Sequence, residues 1–230
     1  QAWSIDAYTK TLETGMLDSL VNTLVVTIPS VILPLLVAAN AAFAFTFIEF
    51  KGREIYFAIL VGLMIIPLQS ALIPVLRGMV AFQKATGLQL TGNYPSAWII
   101  HCAFALPLAI YILRNYMLSL PVSLIEAARV DGASYYQIFW RLVMPMSVPA
   151  LASFAIFQFL WVWNDYLIAF IFVGEQKPVM TYKINLLLGQ YGDGWLNVTA
   201  ASFLSLIVPL IVFFSLQRFF VRGLTAGSVK

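Results

Sequence analysis

Of 230 residues, 61% are hydrophobic and only 10% charged, whereas an ordinary soluble domain is roughly 45–50% apolar and about 25% charged. With a mean hydropathy of +0.90 there is too little polar surface to cover a water-soluble core, which argues against a soluble enzyme and for a membrane protein. The net charge of +3, from 13 Lys and Arg against 10 Asp and Glu, is too small and too scattered for a nucleic-acid-binding stripe. The chain opens on acidic and polar residues rather than basic ones, so no signal peptide is read there. Because Gln1 stands in the place of Met, the chain is expected to begin partway into its gene product. The single cysteine, Cys102, permits neither an internal disulfide nor a Cys-rich metal site.

A bilayer core of about 30 Å takes around 20 apolar residues per helix. Five runs of that kind are free of Lys and Arg. The first, Leu20 to Phe47, carries Pro29 and Pro34 and predicts a long, kinked span. The second, Ile55 to Leu76, carries Pro67 and Pro74. The third runs from Ser96 to Leu113 around Pro107, the fourth from Val148 to Val173, and the fifth from Val198 to Leu216 around Pro209. Such prolines are tolerated where neighbouring helices satisfy the carbonyls they free, or where helices unwind for transport. The connections Gln83 to Pro95 and Gly174 to Asn197 read as interfacial loops, with Tyr94 and Trp195 at the headgroup level.

Counting Lys and Arg in the connections sets the orientation. Lys51, Arg53, Arg114, Arg129, Arg141, Arg218, Arg222 and Lys230 outnumber Lys10, Arg77, Lys84, Lys177 and Lys183. The C-terminus and the loop between the third and fourth runs are therefore expected in the cytoplasm, and residue 1 outside. No repeat or flexible linker divides the chain, so residues 1–230 read as one transmembrane domain with a loop at 121–147.

That loop is too apolar and too well punctuated for a plain connector. Ser123 and Glu126 are spaced as a capping box, which predicts a helix starting near Leu124. Gly132 is a natural left-handed stop, and Ser134 with Gln137 forms a second capping box opening a helix that runs to Pro145. Adjacent Ala127 and Ala128 let another protein's backbone approach closely.

Glu126-Ala127-Ala128 followed by Gly132 and Pro145 is similar to the EAA signature of ABC-importer permeases, E-A-A, three residues, G, nine residues, I, one residue, L-P. Leu142 and Met144 depart from the isoleucine and leucine of that pattern, and both keep apolar volume. Asp131-Gly132-Ala133, Trp163-Asn164-Asp165 and the tail from Gln217 to Lys230 resemble the maltose-type carbohydrate branch. Phe154 to Trp161 and the tail look most like α-glucoside permeases, a group that includes transporters of osmolyte glucosides. The resemblance extends from about Leu20 onward and implies an all-α, type I importer bundle in a bacterial or archaeal plasma membrane. Members of this kind usually have six spans, which places the missing one before residue 1.

By the same resemblance, the loop helix sits in a cleft of an ATPase subunit and acts as a lever. The coupling residues implied are Glu126, Ala127, Ala128, Arg129, Asp131 and Gly132. Arg129 and Arg141 are open to a second reading as solvated or headgroup-facing charges. Partners implied are a second homologous permease, two ATPase subunits, an extracytoplasmic substrate-binding protein and a carbohydrate such as glucosylglycerol, trehalose, sucrose or maltose. ATP and Mg belong to the partner ATPase. The chain itself lacks a phosphate loop, HExxH, GxSxG and any paired-carboxylate cluster, so neither catalysis nor a bound cofactor or metal is expected of it.

A sugar path needs hydrogen-bonding groups, and polar side chains in lipid are costly enough to face inward. Gln69, Gln158, Trp161, Asn164 and Asp165 are the path candidates. Asn40 and Gln158 also read as interhelical bonding and His101 as packing, Trp163 and Tyr166 add aromatic faces, and the resemblance implies for Asp165 a structural or gating carboxylate before a proton relay. Gly223 to Gly227 has GxxxG spacing but lies past Arg222, outside a span. Three other readings stay open: a permease for another solute such as glycerol phosphate, an ion-coupled secondary transporter working through Asp165, and a membrane scaffold.

Overall fold

The computed structural model describes residues 6–188 and 194–226, with side chains through Gln217 in the last helix. All regular structure among these residues is helical, as a hydrocarbon environment demands of a chain that closes no β-barrel. In chain order the helices are α1 (Asp6–Thr11), α2 (Leu17–Phe47), α3 (Arg53–Gly62), α4 (Leu68–Thr86), α5 (Tyr94–Leu118), α6 (Val122–Val130), α7 (Tyr135–Ile138), α8 (Met144–Met146), α9 (Val148–Trp163), α10 (Met180–Leu187) and α11 (Trp195–Ala226). Three helical stretches, Asp6–Phe47, Tyr94–Leu118 and Trp195–Gln217, are long and apolar enough to cross a membrane, or five if each of two bent pairs is one span.

The runs map onto helices with instructive differences. The α2 helix is continuous through Pro29 and Pro34. The second run is broken: α3 tightens into a 3₁₀ turn at Leu63–Ile65, and Ile66 is extended (ψ 116°) before Pro67, because a residue preceding proline is pushed out of the helical region. Beyond the break α4 continues through Pro74 to Thr86, ten residues past the expected end at Leu76. The fourth run is also interrupted. The α9 helix stops at Trp163, Asn164 to Tyr166 form a non-helical break, and helix resumes from Leu167 only up to Val173. The connection expected from Gly174 to Asn197 contains a helix of its own, α10.

Two further expectations at the loop are corrected. Pro121 (φ −62°, ψ 111°) occupies the N-cap of α6 and no side chain caps it. Ser123 therefore lies inside the first turn, where its hydroxyl cannot serve as the cap, and Glu126 does no capping. The second loop helix passes Pro145 and ends at Met146, continuing after Ser147 as α9 with a 70° bend. Gly227 to Lys230, which complete the tail motif and the GxxxG spacing, lie outside the described residues.

Two compact units emerge. One gathers Leu68–His101 and Phe159–Phe214 with the start of the chain through Ser30. Its interior includes Ser19, Thr23 and Thr27, all at most 3% exposed and recurring on one face of α2. Thr23 donates to its own helix at Ser19 O (2.7 Å) and accepts from Met180 N (2.8 Å). Asn22 donates to Pro178 O (3.0 Å) and accepts from the Tyr94 hydroxyl (2.7 Å), while Ser96 donates to Phe172 O (2.7 Å). The connection after α9 is thus tied down by backbone-directed bonds.

The same unit shows how the prolines are accommodated. Proline has no N–H to give the carbonyl four residues earlier. Pro29 frees Val25 O, which accepts from the Trp98 indole at 2.9 Å; Pro209 frees Ser205 O, which accepts from the buried Trp163 indole at 3.2 Å. In both cases the donor comes from another helix, so the proline gains a partner instead of an orphan.

The other unit gathers Val31–Pro67 and Cys102–Gln158 with the end of the chain from Ser215. Here α2 buries Ala38, Ala39 and Ala42, each 0% exposed, small residues that let helix backbones approach. Aromatic rings fill the remainder: Phe43 meets Phe139 at 5.3 Å, Phe45 meets Phe57 at 5.7 Å, and Phe57 stacks on Tyr111 at 6.3 Å. Arg114 lies 4.1 Å above the Phe57 ring and 3.4 Å from the Glu54 carboxylate.

Candidate functional site

The loop from Pro121 to Ser147 lies within the second unit. Proline at the N-cap gives α6 a sharp start. Its end is a complete Schellman motif: Gly132 takes φ +79°, Ala133 N donates to Ala128 O (2.9 Å), and Gly132 N donates to Arg129 O (3.0 Å). A Cβ at Gly132 would meet nothing within 4 Å, so the glycine is there for its backbone and not for space. Two residues on, the expected capping box is present, with Ser134 N donating to Gln137 Oε1 (2.8 Å) and Gln137 N to Ser134 Oγ (3.3 Å).

This punctuation divides the loop into an anchored face and a free one. Ile125, Ile138, Phe139 and Val143 are buried and hold the loop down. Glu126, Ala127, Asp131 and Gly132 are exposed, Ala128 is half-buried, and Val130 and Tyr136 are 87% and 73% exposed. The Glu126 carboxylate makes no hydrogen bond or ion pair among the described residues. Arg129, although on the same helix and also exposed, turns back: its Nη2 donates to Phe47 O at 2.8 Å and its guanidinium lies 5.1 Å from the Tyr135 ring centroid. A cleft of about 190 Å³ opens beside α6, lined by Phe47, Leu118, Val122 and Glu126 among others. A shallower depression on the other side is lined by Asp131, Gly132, Gln137 and Arg141.

Of the five path candidates, two share a contact. Trp161 and Asp165 converge in the first unit on His101, which is fully buried: the two rings meet edge to face at 5.9 Å, and His101 Nε2 is 3.8 Å from Asp165 Oδ2. That distance is too long for a hydrogen bond. Asp165 Oδ2 instead accepts from Ala169 N (3.1 Å) and caps the helix that resumes after the break, while its carbonyl accepts from Thr181 (2.7 Å). Gln158 is 1% exposed. Asn164 is exposed and bonds back to Leu160 O (2.7 Å), and Gln69 is exposed on α4.

Sequence reasoning missed Asn22, Thr23, Ser96 and Trp98, because a small polar residue or a Trp in an apolar run has no periodicity that announces its partner. One signal was available for Trp98: Pro29 marks Val25 O as a carbonyl in need of a donor. His101 was assigned to packing without its neighbours Trp161 and Asp165.

Comparison with known proteins agrees with this architecture. Residues 17–226 match the model of the binding-protein-dependent transport system inner membrane component family. The chain is 48% identical over 234 residues to the alpha-glucoside transport system permease protein AglG of Rhizobium meliloti, covering 99% of this chain and 60% of that protein. It is equally 48% identical over 218 residues to the osmoprotective compounds uptake permease protein GgtD of Synechocystis, covering 94% and 71%. The chain therefore spans about six-tenths to seven-tenths of the length of these relatives. Among solved structures, a bacterial ABC transporter involved in the import of the acidic polysaccharide alginate superposes with a TM-score of 0.74 at 24% identity, covering 93% of this chain and 78% of the other. The MetNI methionine ABC transporter gives 0.64 at 18% identity, covering 94% and 97%. These two fix the fold as that of ABC-importer permeases. With nine-tenths of its residues inside the family match, and with close relatives that are permeases, the chain belongs to the binding-protein-dependent transport system inner membrane components, the membrane-spanning subunits of ABC importers.

Proposed function

We propose that this chain is a permease subunit through which an ABC importer takes up a carbohydrate, an α-glucoside or osmolyte glucoside, and that ATPase motion enters through the loop at 121–147. The sugar class rests on the names of the two 48%-identical relatives. The coupling role rests on one observation: a helix stopped by a Schellman motif presents Glu126, Ala127 and Val130 outward while Ile125 holds it from below. Such a helix has a fixed geometry, a small-residue contact face and a carboxylate without an internal partner, which is what a neighbouring subunit needs in order to push on it.

In this reading a second homologous permease, two ATPase subunits using ATP and Mg, and an extracytoplasmic substrate-binding protein complete the transporter. The loop faces the cytoplasm, on the side favoured by the Lys and Arg count. For the path, the geometry supports Trp161 and Asp165 ahead of the other candidates, because these two meet at a buried histidine. Gln69, Asn164 and Gln158 keep weaker support as path residues.

Gentle purification of the tagged chain from its native membrane, with mass spectrometry of what stays bound, tests the assembly. The expected result is a second permease and an ATPase carrying a phosphate loop, with uptake of at least one of glucosylglycerol, trehalose, sucrose and maltose. Purification as a lone chain or homo-oligomer under several detergents overturns the reading.

A further inference from the structure

A helix that is pushed by a partner moves a span only if something joins the two firmly. Apolar side chains in contact resist compression but slide and separate easily, whereas a charge-assisted hydrogen bond is directional and resists withdrawal as well. Within the second unit, Arg129 makes such a bond. It sits one turn along α6 from Glu126, and its Nη2 donates to the carbonyl of Phe47 at 2.8 Å. Phe47 is the last residue of α2, where the final carbonyls have no helical donor and the partial negative end of the helix attracts a cation.

The same guanidinium lies over the ring of Tyr135, the first residue of α7, at 5.1 Å. Tyr135 in turn meets Phe43 edge to face at 6.4 Å, one turn before Phe47 on α2. One cation thus ties together the loop helix, the helix after the Gly132 stop, and the end of a 31-residue helix. No other side chain on α6 makes a hydrogen bond to another helix among the described residues. We propose that Arg129 is a positioning residue, a strut that transmits displacement of α6 to α2, and not a side chain that reaches for a partner protein. Glu126 and Val130 then form the outward contact and Arg129 the inward one. The inference rests on the proposed role of the loop as the point where ATPase motion enters.

Lysine at 129 keeps the charge but loses the planar contact with Tyr135, so it serves as the conservative variant. The test uses the purified complex with its ATPase, reconstituted in lipid nanodiscs and proteoliposomes, carrying spin labels at positions 49 and 123 in a Cys102→Ser background. With Arg129 present, a non-hydrolysable ATP analogue should leave the 49–123 distance distribution unchanged, because the two sites move as one body. In Arg129→Ala the same analogue should shift or broaden that distribution. ATP hydrolysis should stay within about twofold, while sugar imported per ATP falls about threefold, the loss expected for one solvent-exposed charge-assisted bond. Arg129→Lys should fall between the two.

The proposal is overturned if Arg129→Ala imports as much sugar per ATP as the parent with the distance unchanged. It is equally overturned if Arg129→Ala folds but loses the ATPase, which would assign the side chain to the subunit contact. If the parent complex itself retains no ATPase, the coupling role of the loop fails first, and that result is distinguishable from failure of the strut.

Discussion

The two compact units differ in where they leave polar residues exposed. In the unit containing Thr23, Trp98 and Trp163, buried and half-buried polar side chains are aimed at backbone: Val25 O, Phe172 O, Pro178 O and Ser205 O each accept from a side chain distant in sequence, and Met180 N donates to one. In the unit containing the loop, the interior is mainly alanine, aliphatic and aromatic with Ser147 and Gln158 buried among them, Arg114, Tyr116 and Arg129 supply its long-range bonds to backbone, and the loop's Glu126 and Asp131 remain exposed. Buried polar groups directed at backbone rigidify and fix one arrangement, because leaving either partner unpaired away from water is costly. Exposed charge on a well-stopped helix adds little stability and is available for a partner. The first arrangement belongs to a scaffold; the second fits the contact surface proposed for the loop.

Substitutions graded by stability sharpen this contrast. The largest effect is expected from Trp163→Ala, which removes a fully buried ring stacked on Phe159 and leaves Ser205 O without its indole donor. It should cost about 3–5 kcal/mol, read as a lowered thermal midpoint of the detergent-purified protein; an unchanged midpoint would remove the scaffold reading. Next comes Thr23→Val, similar in shape but unable to accept from Met180 N. A loss of about 1–3 kcal/mol is expected, accompanied by faster hydrogen exchange at the Met180 amide specifically.

Gly132→Ala should cost less, about 1–2 kcal/mol, since the penalty is conformational and the added methyl meets open space. Exchange rates at the end of α6 report it, and protection equal to that of the parent would show that the left-handed stop is dispensable. Smallest of all in stability is Glu126→Lys, within about 0.5 kcal/mol because the side chain is exposed and unpaired, yet it should abolish sugar uptake. If Glu126→Lys lowers the midpoint as much as Thr23→Val does, the loop is part of the scaffold and the contrast between the two units collapses.

Much of the loop was legible before any coordinates. Gly132 and the Ser134–Gln137 box are short-range signals, each satisfied within a few residues by local backbone geometry, and both appear in the structure as read. The Ser123–Glu126 box failed because Pro121 offered a competing start two residues earlier, and a proline with fixed φ sets a helix start without any side-chain bond. The interrupted runs were harder to see. Pro67 and the Asn164–Tyr166 break sit inside runs that read as continuous because they hold no Lys or Arg, and overall hydropathy measures transfer into lipid, not backbone direction.

Composition, hydropathy and a few punctuating residues were enough to determine that the chain is a helical membrane protein with a helix–stop–helix loop, because each of those properties is decided within one turn or one span of the residue concerned. Tertiary structure alone decided what the polar residues do. Trp98 reaches a carbonyl 73 residues away, Thr23 an amide 157 away, and Arg129 a carbonyl 82 away. A hydrogen bond takes its partner from whatever folding brings within about 3 Å, and no local pattern in the sequence encodes which helix end that will be.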